Sequence, residues 1–237
     1  MSPDCAAVPT LILTRPQAAS LRFAEGFRGR ARIVISPLIE IEKVAATYSP
    51  AAAVIFSSRN AVESSRTLPD IVARRAYCVG AATAAAARNA GFEVLGVAET
   101  AAALEQEICA DAPVGPLLHL RGDVVAYPLA EKLNHAGIET NQAVVYRQSP
   151  QPLTEEARAV LVSGAPCIVP LFSPRSARLF AEAAQGGHPA LTLVAMSEAV
   201  ANACDGLVVK AIRVAVAPDA IAMRQMIEEV LGDNESG

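Results

Sequence analysis

Val54-Ile55-Phe56-Ser57-Ser58-Arg59-Asn60-Ala61-Val62 runs as a short apolar strand that breaks at two serines into a helical pattern, and Phe172-Ser173-Pro174-Arg175-Ser176-Ala177-Arg178 repeats the break at Phe, Ser, Arg and Ala. A short Val/Ile/Leu run followed by a helix is the unit of a parallel sheet, whose strands are covered on both faces. Working outward, the unit recurs along the chain. Strands are expected at Leu11–Thr14, Ile33–Ser36, Ala53–Ser57, Ala76–Val79, Glu93–Val97, Leu117–Leu120, Gln142–Arg147, Cys167–Phe172, Leu191–Ala195 and Ile212–Ala217. The class is α/β. Pro16 is expected to open a helix as its first residue, Gly91 and Gly137 to close two others, and Pro218-Asp219 to lead into a last helix that ends at Gly232.

A second internal likeness joins Leu11-Ile12-Leu13-Thr14-Arg15 to Leu117-Leu118-His119-Leu120-Arg121. The two offsets, 116 and 106 residues, differ, so the repeat is not a tandem translation. A nested plan accounts for both: lobe one from residues 1–36 and 149–237, lobe two from 43–143, with extended connectors at 37–42 and 144–148. Each connector is bounded by a proline, Pro37 or Pro150, which favours extended backbone just before it. Two such strands between two lobes would act as a hinge.

Composition narrows the function. Of 237 residues, 52% are hydrophobic and 19% charged, which is ample for a packed core. With 20 basic and 24 acidic residues, net charge −4, a pI near 5.5 and no tryptophan, the chain favours neither nucleic acid nor an anionic membrane surface. Its uncharged Ala-rich run, Ala76–Ala87, is far short of the ~20 apolar residues of a membrane helix. The opening MSPDCAAVPT lacks the basic and apolar segments of a signal peptide, so a cytoplasmic protein is expected. A monomer is expected separately, with no residue pattern behind it. Five cysteines, Cys5, Cys78, Cys109, Cys167 and Cys204, show no C-x-x-C spacing and are read as buried or idle thiols. His119, His135 and His188 lack metal-ligand spacing, so no metal is expected.

Ligands of doubly wound sheets bind beyond the carboxyl ends of the strands. There the chain carries Thr14-Arg15-Pro16, Ser57-Ser58-Arg59-Asn60, Gly80-Ala81-Ala82-Thr83, Arg121-Gly122-Asp123, Ser173-Pro174-Arg175-Ser176 and Ser197-Glu198. Any one of these hydroxyls is accounted for by helix capping. Their accumulation, with arginine at four of the turns, points instead to a polyanion in an interlobe cleft, since helix N-termini offer free N–H groups and partial positive charge. No G-x-G-x-x-G, Walker-type loop, G-x-S-x-G elbow or Ser-His-Asp set is found, which disfavours nucleotide enzymes and triad hydrolases. Tyr146 lies in the second connector beside Arg147, where it could pack or face the cleft.

These residues resemble the uroporphyrinogen-III synthase family. Leu13-Thr14-Arg15-Pro16, Val54 to Val62, Cys78-Val79-Gly80-Ala81-Ala82-Thr83-Ala84, Leu120-Arg121-Gly122, Val145-Tyr146-Arg147 and Phe172 to Ala177 follow the family's motifs in order from residue 13 to residue 177. The resemblance implies two flavodoxin-like lobes with parallel five-stranded sheets and a two-stranded connector. It also implies a cofactor-free lyase that cyclises hydroxymethylbilane, a linear tetrapyrrole with eight carboxylates, to uroporphyrinogen III with loss of water and inversion of ring D. On that basis Tyr146 assists departure of the hydroxyl. Ser57, Ser58, Thr83, Ser173 and Ser197 bind carboxylates, and Arg15 and Arg121 either bind them or pin strand ends. Met196-Ser197-Glu198-Ala199-Val200-Ala201 departs from the family's I-G-x-x-T-A turn, with Val200 at the threonine position and Ser197 as the available hydroxyl. The rival readings are a hinge-closing binding or sensor protein for an anionic small molecule, and a flavodoxin-like FMN binder.

Overall fold

A computed structural model describes residues 8–235; Cys5 and most of the opening segment lie outside the described residues. In chain order the elements are β1 (Thr10–Leu13), α1 (Gln17–Ala24), a 3-10 turn (Glu25–Phe27), β2 (Arg32–Ile35), β3 (Ile39–Lys43), β4 (Ala53–Phe56), α2 (Arg59–Ser64), β5 (Arg75–Val79), α3 (Ala81–Asn89), β6 (Glu93–Ala98) and α4 (Ala101–Asp111). They continue as β7 (Leu117–Gly122), α5 (Leu129–His135), β8 (Thr140–Pro150), α6 (Glu155–Ser163), β9 (Cys167–Leu171), α7 (Pro174–Ala184), β10 (Gly187–Ala195), α8 (Glu198–Asn202), β11 (Val208–Val214) and α9 (Ala220–Glu235). All ten expected strands are present, within a few residues of their expected ends. The chain divides into two units, one holding the residues up to Glu40 and from Pro150 onward, the other Ile41–Ser149.

The first unit is built on a five-stranded sheet in the order β11-β10-β9-β1-β2, and every recorded pairing in it is parallel. Side-chain chemistry sets that order. β1 and β9 are buried at every residue and lie inside, whereas β2 buries only Val34 and β11 buries none of its residues, and these two form the edges. Lys210 and Arg213 on β11 blunt one edge against further pairing. The β1–β9 ladder runs only through Cys167 and Ile168, stopping short of Pro170, which has no N–H to give. One face of the sheet packs Ile12, Val169 and Leu193 against α6, α7 and α8. The other packs Leu11, Leu13, Ile168 and Val194 against Phe23 of α1 and Met223, Ile227 and Leu231 of α9.

The second unit has the order β3-β8-β7-β4-β5-β6. Here the expectation of five strands is corrected to six. The segment read as the first connector forms β3; just past its end Val44 N donates to Val145 O (3.0 Å), while just before its start Leu38 O accepts from Gln151 N (2.9 Å), so β3 and β8 run in opposite directions. Antiparallel pairing at the edge of a parallel sheet is a common mixed arrangement. Val54, Phe56, Leu118 and Leu120 face α2 and α3, and Ile55, Tyr77 and Leu117 face α4 and α5.

Two helix boundaries differ from expectation. Pro16 precedes α1 rather than opening it, since its ψ of 142° is extended and its carbonyl accepts from Ala19 N and Ser20 N. α9 continues through Gly232 to Glu235, because Gly232 lacks the positive φ of a helix-ending glycine. Gly91 and Gly137 do follow the caps of α3 and α5, and Asp219 accepts from Ile221 N and Ala222 N (both 2.8 Å) to start α9. Among the described residues no helix is long and apolar enough to cross a membrane.

Candidate functional site

In the second unit, the predicted residues come from four neighbouring strands. Tyr146 belongs to β8, Arg121 to β7, Ser57 follows β4 and Thr83 stands in the first turn of α3 after β5, so the order β8-β7-β4-β5 lines them along the carboxyl rim of one sheet. Ser58 caps α2, accepting from Asn60 N at 3.1 Å. Gly80 turns β5 into α3 with φ 81°, a left-handed value that a residue without Cβ adopts freely. No side chain caps α3. Thr83 N and Ala84 N both donate to Gly80 O, while Ala81 and Ala82 are exposed and leave their amides at the open end of the helix. Thr83 is buried, and its hydroxyl makes no hydrogen bond to another described residue.

Tyr146 owes its position to an irregularity. The β7–β8 ladder pairs Arg121 with Val144 and then Gly122 with Tyr146, so β8 carries one extra residue there. Such a bulge re-aims the side chains that follow it. The Tyr146 ring lies against Gly122 so closely that a Cβ at 122 would stand 2.6 Å from Tyr146 Cζ. Tyr146 is 5% exposed, packs with Phe56, Leu118 and Leu120, and its hydroxyl has no hydrogen-bond partner among the described residues. Asp123 reinforces the turn: its N–H donates to Tyr146 O (3.1 Å), and its carboxylate accepts from Val124 N and Gln148 N.

Arg121 is committed to its own sheet. Its Nε donates to Gln142 Oε1 at 2.7 Å and its Nη1 to Gly122 O at 2.8 Å. Arg15, after β1 in the first unit, lays its guanidinium 4.2 Å from the centroid of the Phe172 ring on the turn after β9. On that unit's rim, β10-β9-β1, Ser173 caps α7 by accepting from Ser176 N (3.1 Å), and its hydroxyl also meets Ser176 Oγ (2.9 Å). Ser197 stands at the start of the short α8 without any capping bond from its side chain, and Val200 is buried in the core.

One functional candidate was not singled out for this role from sequence. His119 on β7 is 4% exposed, its Nε2 lies 3.1 Å from Ser57 Oγ, and its Nδ1 is buried without a partner. Burial, with a smaller contribution from Arg121, holds its pKa down to about 4, so the ring is neutral near pH 7. The signal was present: in the run Leu117-Leu118-His119-Leu120, a polar ring inside an otherwise apolar strand needs a partner. Three buried thiols of the described residues carry no comparable chemistry. Burial pushes Cys78, Cys167 and Cys204 up to about 11, which keeps them protonated.

Each unit is an α/β sheet whose carboxyl rim carries hydroxyl side chains and a helix start without a side-chain cap, α3 in the second unit and α8 in the first. Residues 24–225 match the family model of uroporphyrinogen-III synthase HemD, and the chain belongs to that family. As a member it is an enzyme of tetrapyrrole biosynthesis, a lyase that closes hydroxymethylbilane into uroporphyrinogen III. Solved structures share its fold. The uroporphyrinogen-III synthetase of Helicobacter pylori 26695 is 18% identical with a TM-score of 0.66, covering 94% of this chain and 99% of its own. A mutant uroporphyrinogen III synthase of the extremely thermophilic bacterium Thermus thermophilus is 14% identical with a TM-score of 0.52, covering 95% and 99%. None of the curated proteins matches the chain.

Proposed function

We propose that the chain performs this cyclisation without a cofactor, as a cytoplasmic monomer, mainly by holding the linear substrate in one conformation. The family match across residues 24–225 carries the reading, and the chemistry of the rims supports it. Loss of the substrate hydroxyl is driven by a pyrrole nitrogen lone pair and leaves an azafulvene cation. Unassisted closure of that cation gives the wrong isomer, so the protein must favour attack at the substituted carbon of ring D, through a spiro intermediate. Positioning of this kind lowers the barrier by removing orientational freedom before reaction.

Tyr146 is assigned to assist the leaving hydroxyl. A phenol with no hydrogen-bond partner among the described residues can donate to that oxygen, and its apolar surroundings strengthen the bond. Ser57, Ser58, Thr83 and the amides of Ala81 and Ala82 are assigned to acid side arms. In the first unit the same role falls to Ser197, whose hydroxyl is not used in a cap. Ser173 is left out of the set because its hydroxyl, unlike that of Ser58, meets Ser176 Oγ as well as capping α7, and Arg15 and Arg121 serve chiefly to brace Phe172 and the β7–β8 pair. We further read the two units as flavodoxin-like lobes with residues 37–42 and 144–148 as the connector. Nothing in the fold or the site favours the anion-binding or sensor protein.

An isomer assay tests the reading. Freshly made hydroxymethylbilane is supplied, the reaction is stopped with acid and oxidant, and the uroporphyrins are separated by chromatography. Predominantly type III product above the no-enzyme control is expected; type I alone from folded protein would refute it.

A further inference from the structure

A serine hydroxyl can meet an anion in two ways, and only one attracts it: the proton must point at the ligand while the oxygen's lone pairs are satisfied elsewhere. Ser57 is exposed at the end of β4, and its Oγ is 3.1 Å from Nε2 of a histidine ring that is itself buried on β7. The parallel ladder brings them together, since His119 pairs with Ile55, two residues before Ser57, and alternate residues share a face. The other ring nitrogen, Nδ1, is buried and has no partner.

These contacts decide which nitrogen carries the proton. A proton on Nδ1 would be a buried donor with nothing to accept it, a rare and costly condition, and would oblige Ser57 to donate inward to Nε2. A proton on Nε2 leaves only a bare lone pair at Nδ1, which is tolerated more readily. Nε2–H then donates to Ser57 Oγ, and the serine's own proton is free to point away from the sheet. We propose that His119 is a positioning residue that holds the Ser57 hydroxyl as a donor towards a substrate carboxylate. The proposal rests on the carboxylate-binding role given to Ser57 above. It does not make Ser57 a nucleophile, because a ring that donates to the hydroxyl cannot take its proton, and no carboxylate backs Nδ1.

Nitrogen NMR of the full-length 15N-labelled protein reads the tautomer directly, and the Nε2–H form is expected for His119; the Nδ1–H form would overturn the proposal. Kinetics give the second readout. H119F should raise KM for hydroxymethylbilane roughly tenfold, the loss expected for one hydrogen bond to a charged group, with kcat changed by less than about twofold. H119Q, whose amide can donate to the same oxygen, should recover most of the loss. S57A should show the same rise in KM, with S57A/H119F no worse than S57A alone. Rises in KM that multiply in the double variant, or a wild-type KM in folded H119F, would also overturn it. A wild-type KM in S57A would remove the substrate contact and the proposal with it, and is told apart from failure of the positioning step by the nitrogen spectrum of the wild type.

Discussion

Tyr146 and Gly122 form one structural unit, since the phenol ring occupies the space a Cβ at 122 would need. Tyr146→Phe keeps the ring and removes the proton donor, so single-turnover rates should fall at least about tenfold while substrate affinity holds near wild type. Full activity in that variant would end the assignment. Gly122→Ala should lower kcat in the same direction by displacing the ring, and should also lower the melting temperature. His119 gives a pH dependence whose sign follows from its depressed pKa of about 4 against 6.5 for a free histidine. Above pH 6.5 neither state holds the proton and the stability is intact. As pH falls from 6.5 towards 4 the unfolded chain takes up the proton first, and roughly 3 kcal/mol is lost once both states are protonated. H119Q should narrow the gap between urea midpoints at pH 7 and pH 4.5; parallel losses in the two proteins would exclude His119 as the cause. The hydroxyls and Tyr146 were legible as residue types at strand ends. The Ser57–His119 contact was not, because it joins residues 62 apart in the chain and depends on β4 and β7 being neighbours, with β5 and β6 made between them.

At the scale of elements, the two serines that open α7 and α8 separate structure from binding. Ser173→Ala removes a cap bond and should cost about 1 kcal/mol in denaturant unfolding. Ser197→Ala removes none, and should change stability by less than about 0.5 kcal/mol while raising KM severalfold. The reverse pattern would exchange their roles. Ten strands could be read directly, because buried parallel strands are unbroken Val/Ile/Leu runs. The eleventh, Ile39-Glu40-Ile41-Glu42-Lys43, alternates apolar with charged residues as an edge strand does, but no local pattern names the partner that turns an extended segment into part of a sheet. The bulge in β8 was hidden for the same reason: an extra residue exists only relative to the strand it is paired with.

For the molecule as a whole, two hydrophobic clusters belong to each unit. Chains with separate cores depart from all-or-none unfolding. Calorimetry should therefore give an enthalpy larger than the van't Hoff value, and equality of the two would show that the units melt together. The two repeats are offset unequally, which a tandem duplication cannot produce, and the chain divides into one discontinuous and one continuous unit.

That connectivity also bears on synthesis at the ribosome. β1 lies between β2 and β9, so one of its two neighbours begins only at Cys167, after the whole of the intervening unit has been made. At roughly 5–20 residues per second, the buried strand Thr10–Leu13 waits about ten seconds or more with one edge unpaired. Over that interval Leu11, Ile12 and Leu13 form a nascent-chain segment suited to chaperone capture, whereas the six strands of the other sheet, from Ile39 to Pro150, are all made before β9 and can fold as soon as they clear the exit tunnel.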